Sequence, residues 1–178
     1  MNKIIPEPPI CGERNCKSLR DIIMPSILPP KKDQDPGSFK CGRKRCIMCE
    51  KHVTEGKSFQ SCQTQEQFEL RNNFNCETTN IIYLISCAKC NEKQYVGETQ
   101  NSLKTRFYLH RSDIGKNVKG TLLIQHFNTH GHSLEDMKCM VIEQVYGKTK
   151  EQRLKRETFW QRKLKTVYPY GLNEIEEL

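Results

Sequence analysis

Apolar and polar positions alternate in recognisable periods only in the C-terminal half of the chain. Ile81-Ile82-Tyr83-Leu84-Ile85 is a β-branched and aromatic run of strand length, and Gln94-Tyr95-Val96-Gly97 is a second, shorter one. Only a Cys-Ala-Lys-Cys-Asn-Glu-Lys connection separates them, so the two pair as a hairpin. The spacing predicts a helix over 101–114, with Leu103, Phe107 and Ile114 on one stripe. A second helix is expected from Gly120 to about Phe127, and a third strand over 138–145 (KCMVIEQV). Thr149 and Gln152 fit a capping box, opening a helix that runs to about Lys165 before a Tyr-Pro-Tyr-Gly turn at 168–171. The order ββααβα describes an α+β domain: a small three-stranded antiparallel sheet packed with helices.

The first 79 residues show no such period. Prolines at 6, 8, 9, 25, 29, 30 and 36 interrupt any long element, and only the short stretch 17–23 (KSLRDII) is amphipathic. Seven of the ten cysteines fall here. The sequence therefore divides into an irregular Cys- and Pro-rich basic arm over 1–79, held by a metal or a partner, and the α+β domain over 80–178.

Composition narrows the chemistry. No apolar run approaches the roughly 20 residues of a membrane span. The N-terminal MNKIIPEPPI lacks the pattern of a secretory leader, so an intracellular, unsecreted protein is expected. Ten cysteines in that setting point to metal ligation in preference to disulfides. A net charge of +8 and a pI near 9.0 permit a polyanionic partner.

Cys87-x2-Cys90 fits one edge of a tetrahedral zinc site at the hairpin tip, and His126, His130 and His132 follow at finger-like spacings. Cys41-x4-Cys46-x2-Cys49 is a second candidate, with His52, Cys62 or Cys76 as fourth ligand. It lies in the basic loop Lys40-Cys-Gly-Arg43-Lys44-Arg45-Cys46, suited to phosphate contact. Three further features resist a purely structural explanation. Glu157 falls between Leu154 and Trp160/Leu164 on the apolar face of the last helix, where a carboxylate needs a counter-charge or a cation. Arg106 and His110, four residues apart, share a polar helix face with Asp113 beside the apolar stripe. Tyr83 and Tyr95 sit in the two strands of one hairpin.

Taken together these residues resemble the GIY-YIG nuclease superfamily. Ile82-Tyr83 and Tyr95-Val96-Gly97 are similar to its two tyrosine motifs, although Ile81 stands where the first motif has glycine. Arg106, His110, Glu157 and Asn173 follow in the family's order. The version found in Penelope-like retroelements is closer still. It too has CxxC between the tyrosine motifs, a Tyr-Val-Gly-Glu-Thr run, His-Phe-Asn ending in Gly-His-Ser, and a final Gly-Leu-Asn. The linker of those elements resembles Ser18–Ile22 and the Cys41/Cys46/Cys49 cluster.

The resemblance implies a metal-dependent DNA endonuclease. Glu157 would hold Mg²⁺ (or Mn²⁺), Arg106 would contact the scissile phosphate, and His110 would assist. Tyr83 would serve as general base with Tyr95 positioning or sharing the proton, and Asn173 would brace the site. It further implies a structural Zn²⁺ on Cys87, Cys90, His126 and His132; for the second set, Cys41, Cys46 and Cys49, the fourth place is open among His52, Cys62 and Cys76, with Cys76 taken as the expected ligand. DNA contacts are expected from Lys40, Arg43, Lys44, Arg45, Lys104 and Arg111, with a role in opening target DNA for retroelement integration, and residence in the nucleus. A reverse transcriptase, which such elements carry, does not fit in 178 residues. The competing expectation is a catalytically inactive, zinc-stabilised nucleic-acid-binding module.

Overall fold

Ile81 to Cys87 form an almost wholly buried strand, as an apolar run flanked on both sides must. In the computed structural model, which describes residues 35–116, 120–146 and 149–175, this strand (β5, Ile81–Cys87) is the centre of a three-stranded sheet. The amphipathic stretch 17–23 and the segment Ser18–Ile22 lie outside the described residues. On one side β5 pairs antiparallel with β6 (Gln94–Thr99), on the other with β7 (Met137–Gln144). Helices α2 (Leu103–Gly115) and α3 (Leu122–Asn128) separate β6 from β7, and α4 (Lys150–Leu164) follows. The expected order ββααβα is the order found. No helix among the described residues is long and apolar enough to cross a membrane.

Local chemistry places the helix ends. Ser102 caps α2 by accepting the amide of Thr105, and Thr149 and Gln152 form the capping box of α4. Lys165 ends α4 in the left-handed conformation at φ 53°. The tail then returns along the outer edge of β6, where Leu172 N donates to Gln94 O at 2.9 Å. That return covers an edge that would otherwise present unpaired backbone groups.

The faces of the sheet carry different layers. Tyr83, Ile85 and Tyr95 point one way, toward α2. Ile82, Glu98 and Glu143 point the other way, toward α4, where Arg153 pairs with Glu98 at 2.6 Å and Arg156 with Glu143 at 2.7 Å. The wheel of α4 departs from expectation. Its buried residues are Arg153, Gln161 and Leu164, whereas Leu154, expected on the buried face, is 38% exposed. The helix docks through a charged and polar stripe because the sheet offers it two glutamates.

Asp35 onward belongs to one compact unit, in which the stretch 35–79 packs within the same body as the sheet. It contributes β1 (Gly37–Ser38), α1 (Ile47–Lys51), β2 (Ser58–Gln60), β3 (Gln67–Glu69) and β4 (Asn73–Phe74). The antiparallel β2–β3 pair stacks Phe59 and Phe68 against Trp160 of α4. Residues His52–Thr54 run beside Cys139, exchanging bonds of 2.7 and 2.9 Å with its backbone. Such attachments are tertiary, which is why no period in the sequence announces them.

Candidate active site

Register places the tyrosines. Tyr83 lies opposite Gly97, and Tyr95 opposite Ile85, so the two phenols are diagonal neighbours on one face with ring centroids 6.3 Å apart. Gly97 leaves the space that the Tyr83 ring fills. A Cβ at that position would fall onto the Tyr83 phenol and come within 2.8 Å of Tyr95 Cε1. The glycine of the second motif is thus a steric requirement of the tyrosine of the first. Ile81 needs no such freedom, since it is fully buried in the strand.

Helix α2 delivers the next two groups. Its buried residues are Leu103, Phe107, His110 and Ile114, so His110 belongs to the buried stripe and not to a polar face beside it. His110 Nε2 lies 2.9 Å from the Tyr83 hydroxyl, and Arg106 Nε donates to the same oxygen at 3.0 Å. The guanidinium can only donate, so the Tyr83 oxygen accepts from Arg106, and the direction of the bond to His110 follows the imidazole tautomer. Burial, with Arg106 second, lowers the His110 pKa to about 3, so the imidazole is neutral at physiological pH. Arg106 also interacts with Tyr95. Its Nε is held by Tyr83, which leaves the terminal NH₂ groups as the ones to meet a phosphate.

Glu157 comes from α4, on the opposite layer, yet its charge acts on both phenols. Burial above all raises the pKa of each phenol, that of Tyr83 well above its ordinary value, with neighbouring negative groups adding to the effect. The two differ in access, since Tyr83 is 1% exposed and Tyr95 only half-buried. Of the two phenols Tyr95 is therefore the less buried. The side chain of Asn173 bonds the backbone of Val96 and not the phenol hydroxyls. Its carboxamide accepts from Val96 N at 2.9 Å and donates to Val96 O at 2.7 Å, pinning β6 beside Tyr95.

Two further groupings lie outside this cluster. Cys87, Cys90, His126 and His132 bring their ligand atoms within 4.8 Å of one another. Cys87 Sγ is 3.3 Å from His132 Nδ1, and Cys90 Sγ is 3.8 Å from His126 Nε2. Exposed His130 takes no part. Cys41, Cys46, Cys49 and Cys76 form the second set. His52, an alternative for its fourth place, instead bonds Met137 O at 2.9 Å, and Cys62 binds Gln94 through its backbone.

Among the basic residues, Lys40, Arg43, Lys44 and Arg45 are exposed, with Lys40 and Arg43 paired to Glu55 and Glu77. Lys104 and Arg111 share a side of α2 turned roughly 140–160° from Arg106, away from the phenols. Sequence reasoning missed the buried pair Arg153–Glu98 and the hub at Glu143, which takes Arg156 in bidentate fashion and Trp160 Nε1 at 2.5 Å. The one available signal was the four-residue step from Arg153 to Glu157 on a single helix face.

The arrangement brings a guanidinium, two phenols and a neutral imidazole together beside β5 and β6, with the charge of a carboxylate acting on both phenols. A family model described as the GIY-YIG catalytic domain matches residues 79–171. Among solved structures, the chain is similar to "Structure of the Catalytic Domain of Homing Endonuclease I-TevI", at 28% identity and a TM-score of 0.45, over 53% of this chain and 97% of that one. A comparison with curated proteins found no match. With its strands, both tyrosines, Arg106, His110 and Glu157 inside the matched residues, the chain belongs to the GIY-YIG nuclease family.

Proposed function

We propose that this protein is a divalent-metal-dependent DNA endonuclease that nicks target DNA by phosphodiester hydrolysis. The observation that carries the reading is the Arg106–Tyr83–His110 hydrogen-bond chain, set beside Tyr95 and within electrostatic reach of Glu157. Glu157 fits a Mg²⁺ or Mn²⁺ ion: Mg²⁺ keeps most of its waters and takes as little as one protein carboxylate plus phosphate oxygens. When bound, the cation supplies charge neutralisation at the scissile phosphate.

The chain's own residues do the rest. Arg106, steered by Tyr83, offers its terminal NH₂ groups to the phosphate, where charge grows in the transition state. Tyr95, the less buried phenol, takes the proton of the attacking water. Its elevated pKa means that deprotonation needs the positive field of Arg106 and the cation. His110, together with Arg106, fixes the Tyr83 hydroxyl in place. Asn173 acts at one remove, by holding β6.

Cys87, Cys90, His126 and His132 suit a structural Zn²⁺. Bonds of about 2.0–2.3 Å in a tetrahedron put sulfur and nitrogen about 3.6 Å apart, and the two observed separations bracket that value. The ion would staple the end of β5 to α3 and the segment after it. The likeness to Penelope-like elements supports a place in retroelement integration, with DNA as partner and the nucleus as location, and exposed Lys40, Lys44 and Arg45 as DNA contacts.

The test is relaxation of supercoiled plasmid by the purified, zinc-loaded protein in Mg²⁺ or EDTA, beside Glu157→Ala. Open-circle product that requires both Mg²⁺ and Glu157 is the expected result. Intact plasmid with a folded protein that still binds DNA would assign the chain to the inactive binding-module class.

A further inference from the structure

Four cysteines that the nuclease chemistry does not use converge ahead of it. Cys41, Cys46, Cys49 and Cys76 have their sulfurs within 4.8 Å of one another, and all four precede the residues matched by the family model. Cys49 Sγ lies 3.5 Å from Cys41 Sγ, and Cys46 Sγ 3.8 Å from Cys76 Sγ. These separations are far beyond a disulfide of about 2.05 Å, and the described cysteines are free thiols. Four thiolates bonded at about 2.3 Å to one tetrahedral ion stand about 3.8 Å apart along each edge. A multinuclear iron–sulfur cluster, which inserts its own sulfides, would hold the cysteines wider.

The backbone is shaped for the same purpose. Gly42 adopts φ +72° with open space where a Cβ would project, so the residue is there for its left-handed turn directly after Cys41. Cys46 caps α1 and Cys49 lies in its first turn, which puts both sulfurs on one side. The Cys41 amide donates to Cys49 Sγ at 3.3 Å, the kind of outer bond that steadies a metal-bound thiolate. Cys46, Cys49 and Cys76 are buried.

We propose that these four cysteines bind one Zn²⁺ as a tetrathiolate centre, separate from the Cys₂His₂ set, and that this centre positions the start of α2. The link is direct. Cys76 O accepts the amide of Lys104 at 2.8 Å, and Thr78 O that of Leu103 at 3.3 Å. These are two of the amides that a helix start leaves unsatisfied. One turn later the same helix presents Arg106 and His110. Metal binding here stands independently of the nuclease reading.

The experiment uses the full chain and metal analysis. Wild type is expected to hold two zinc ions per chain, and one should remain in both Cys46→Ser/Cys76→Ser and Cys87→Ser/Cys90→Ser. Cobalt loaded into the latter variant should give the intense sulfur-to-metal charge-transfer absorption of a four-sulfur site. Amide exchange then tests positioning: in Cys46→Ser/Cys76→Ser, Leu103 and Lys104 should exchange about tenfold faster or more while β5 keeps its protection. If a serine variant does not fold, mercurial titration of the wild type decides the matter by releasing two zinc equivalents or one. A single zinc that survives loss of Cys46 and Cys76, or iron in its place, overturns the site. Unchanged exchange at Leu103 and Lys104 overturns the positioning role.

Discussion

The carboxamide of Asn173 closes a two-bond ring with the backbone of Val96, accepting at 2.9 Å and donating at 2.7 Å. A side chain here does what a neighbouring strand would do for the edge of β6, and it does so one residue from Tyr95. Asn173→Asp keeps the acceptor and loses the donor, leaving Val96 O buried without its partner. Such a loss costs about 1–3 kcal/mol. Urea unfolding should show that cost, and plasmid nicking should fall with it. Full activity at reduced stability would confine Asn173 to the fold.

Gly97 and Tyr83 occupy each other's space across the hairpin. Gly97→Ala forces the phenol aside, and with it the oxygen that orients Arg106. Overpacking of this kind costs about 1–3 kcal/mol, while an angstrom of misplacement costs about a hundredfold in rate. Single-turnover cleavage should therefore drop by far more than melting does.

The two tyrosines should separate in their phenylalanine variants. Tyr83→Phe leaves Arg106 Nε and His110 Nε2 unbonded inside the fold, so stability should fall by about 1–3 kcal/mol along with cleavage. Tyr95→Phe should abolish cleavage with a smaller change in the urea midpoint, since that phenol is the less buried of the two. A Tyr95→Phe protein that cleaves normally would return the base to another group.

His110 makes stability depend on pH. The unfolded imidazole takes up a proton near 6.5, whereas the folded one, buried and faced by Tyr83, Tyr95 and Arg106, stays neutral down to about 3. Between those values the unfolded chain binds more protons, so stability declines as pH drops through that window and is unaffected above it. His110→Gln should flatten this part of the profile in urea titrations run from neutral to mildly acid pH. A wild-type and a variant profile of identical slope would contradict it.

Cys87→Ser removes one ligand from the Cys₂His₂ set at the end of β5. Loss of that zinc should lower the melting temperature and weaken cleavage only through unfolding. A zinc-free Cys87→Ser protein with unchanged melting would show that the set staples nothing.

Much of this was legible in the chain alone. The strand run at 81–85, the capping box at 149–152 and the Leu103/Phe107/Ile114 stripe are local patterns, and each became the expected element because short-range periodicity and capping decide local structure. The order of the tyrosines, Arg106, His110, Glu157 and Asn173 was equally readable. The faces were not. His110 is 6% exposed because the Tyr83 hydroxyl awaits it across the sheet, and Leu154 is turned outward because Glu98 and Glu143 draw Arg153 and Arg156 inward. Which histidine joins Cys87 and Cys90, and which residue joins Cys41, Cys46 and Cys49, also depended on where distant segments meet.

The sequence by itself determined the elements, their order and the residue types of the site, because those follow from neighbours a few positions apart. Only the tertiary structure decided that Tyr95 stays partly exposed while Tyr83 is sealed, and that the charge of Glu157, on the helix of the opposite layer, acts on both phenols. It also decided that Cys76 meets a cluster some thirty residues earlier in the chain. Burial, proton placement and metal geometry are set by contacts between residues far apart in the chain, and no local pattern encodes them.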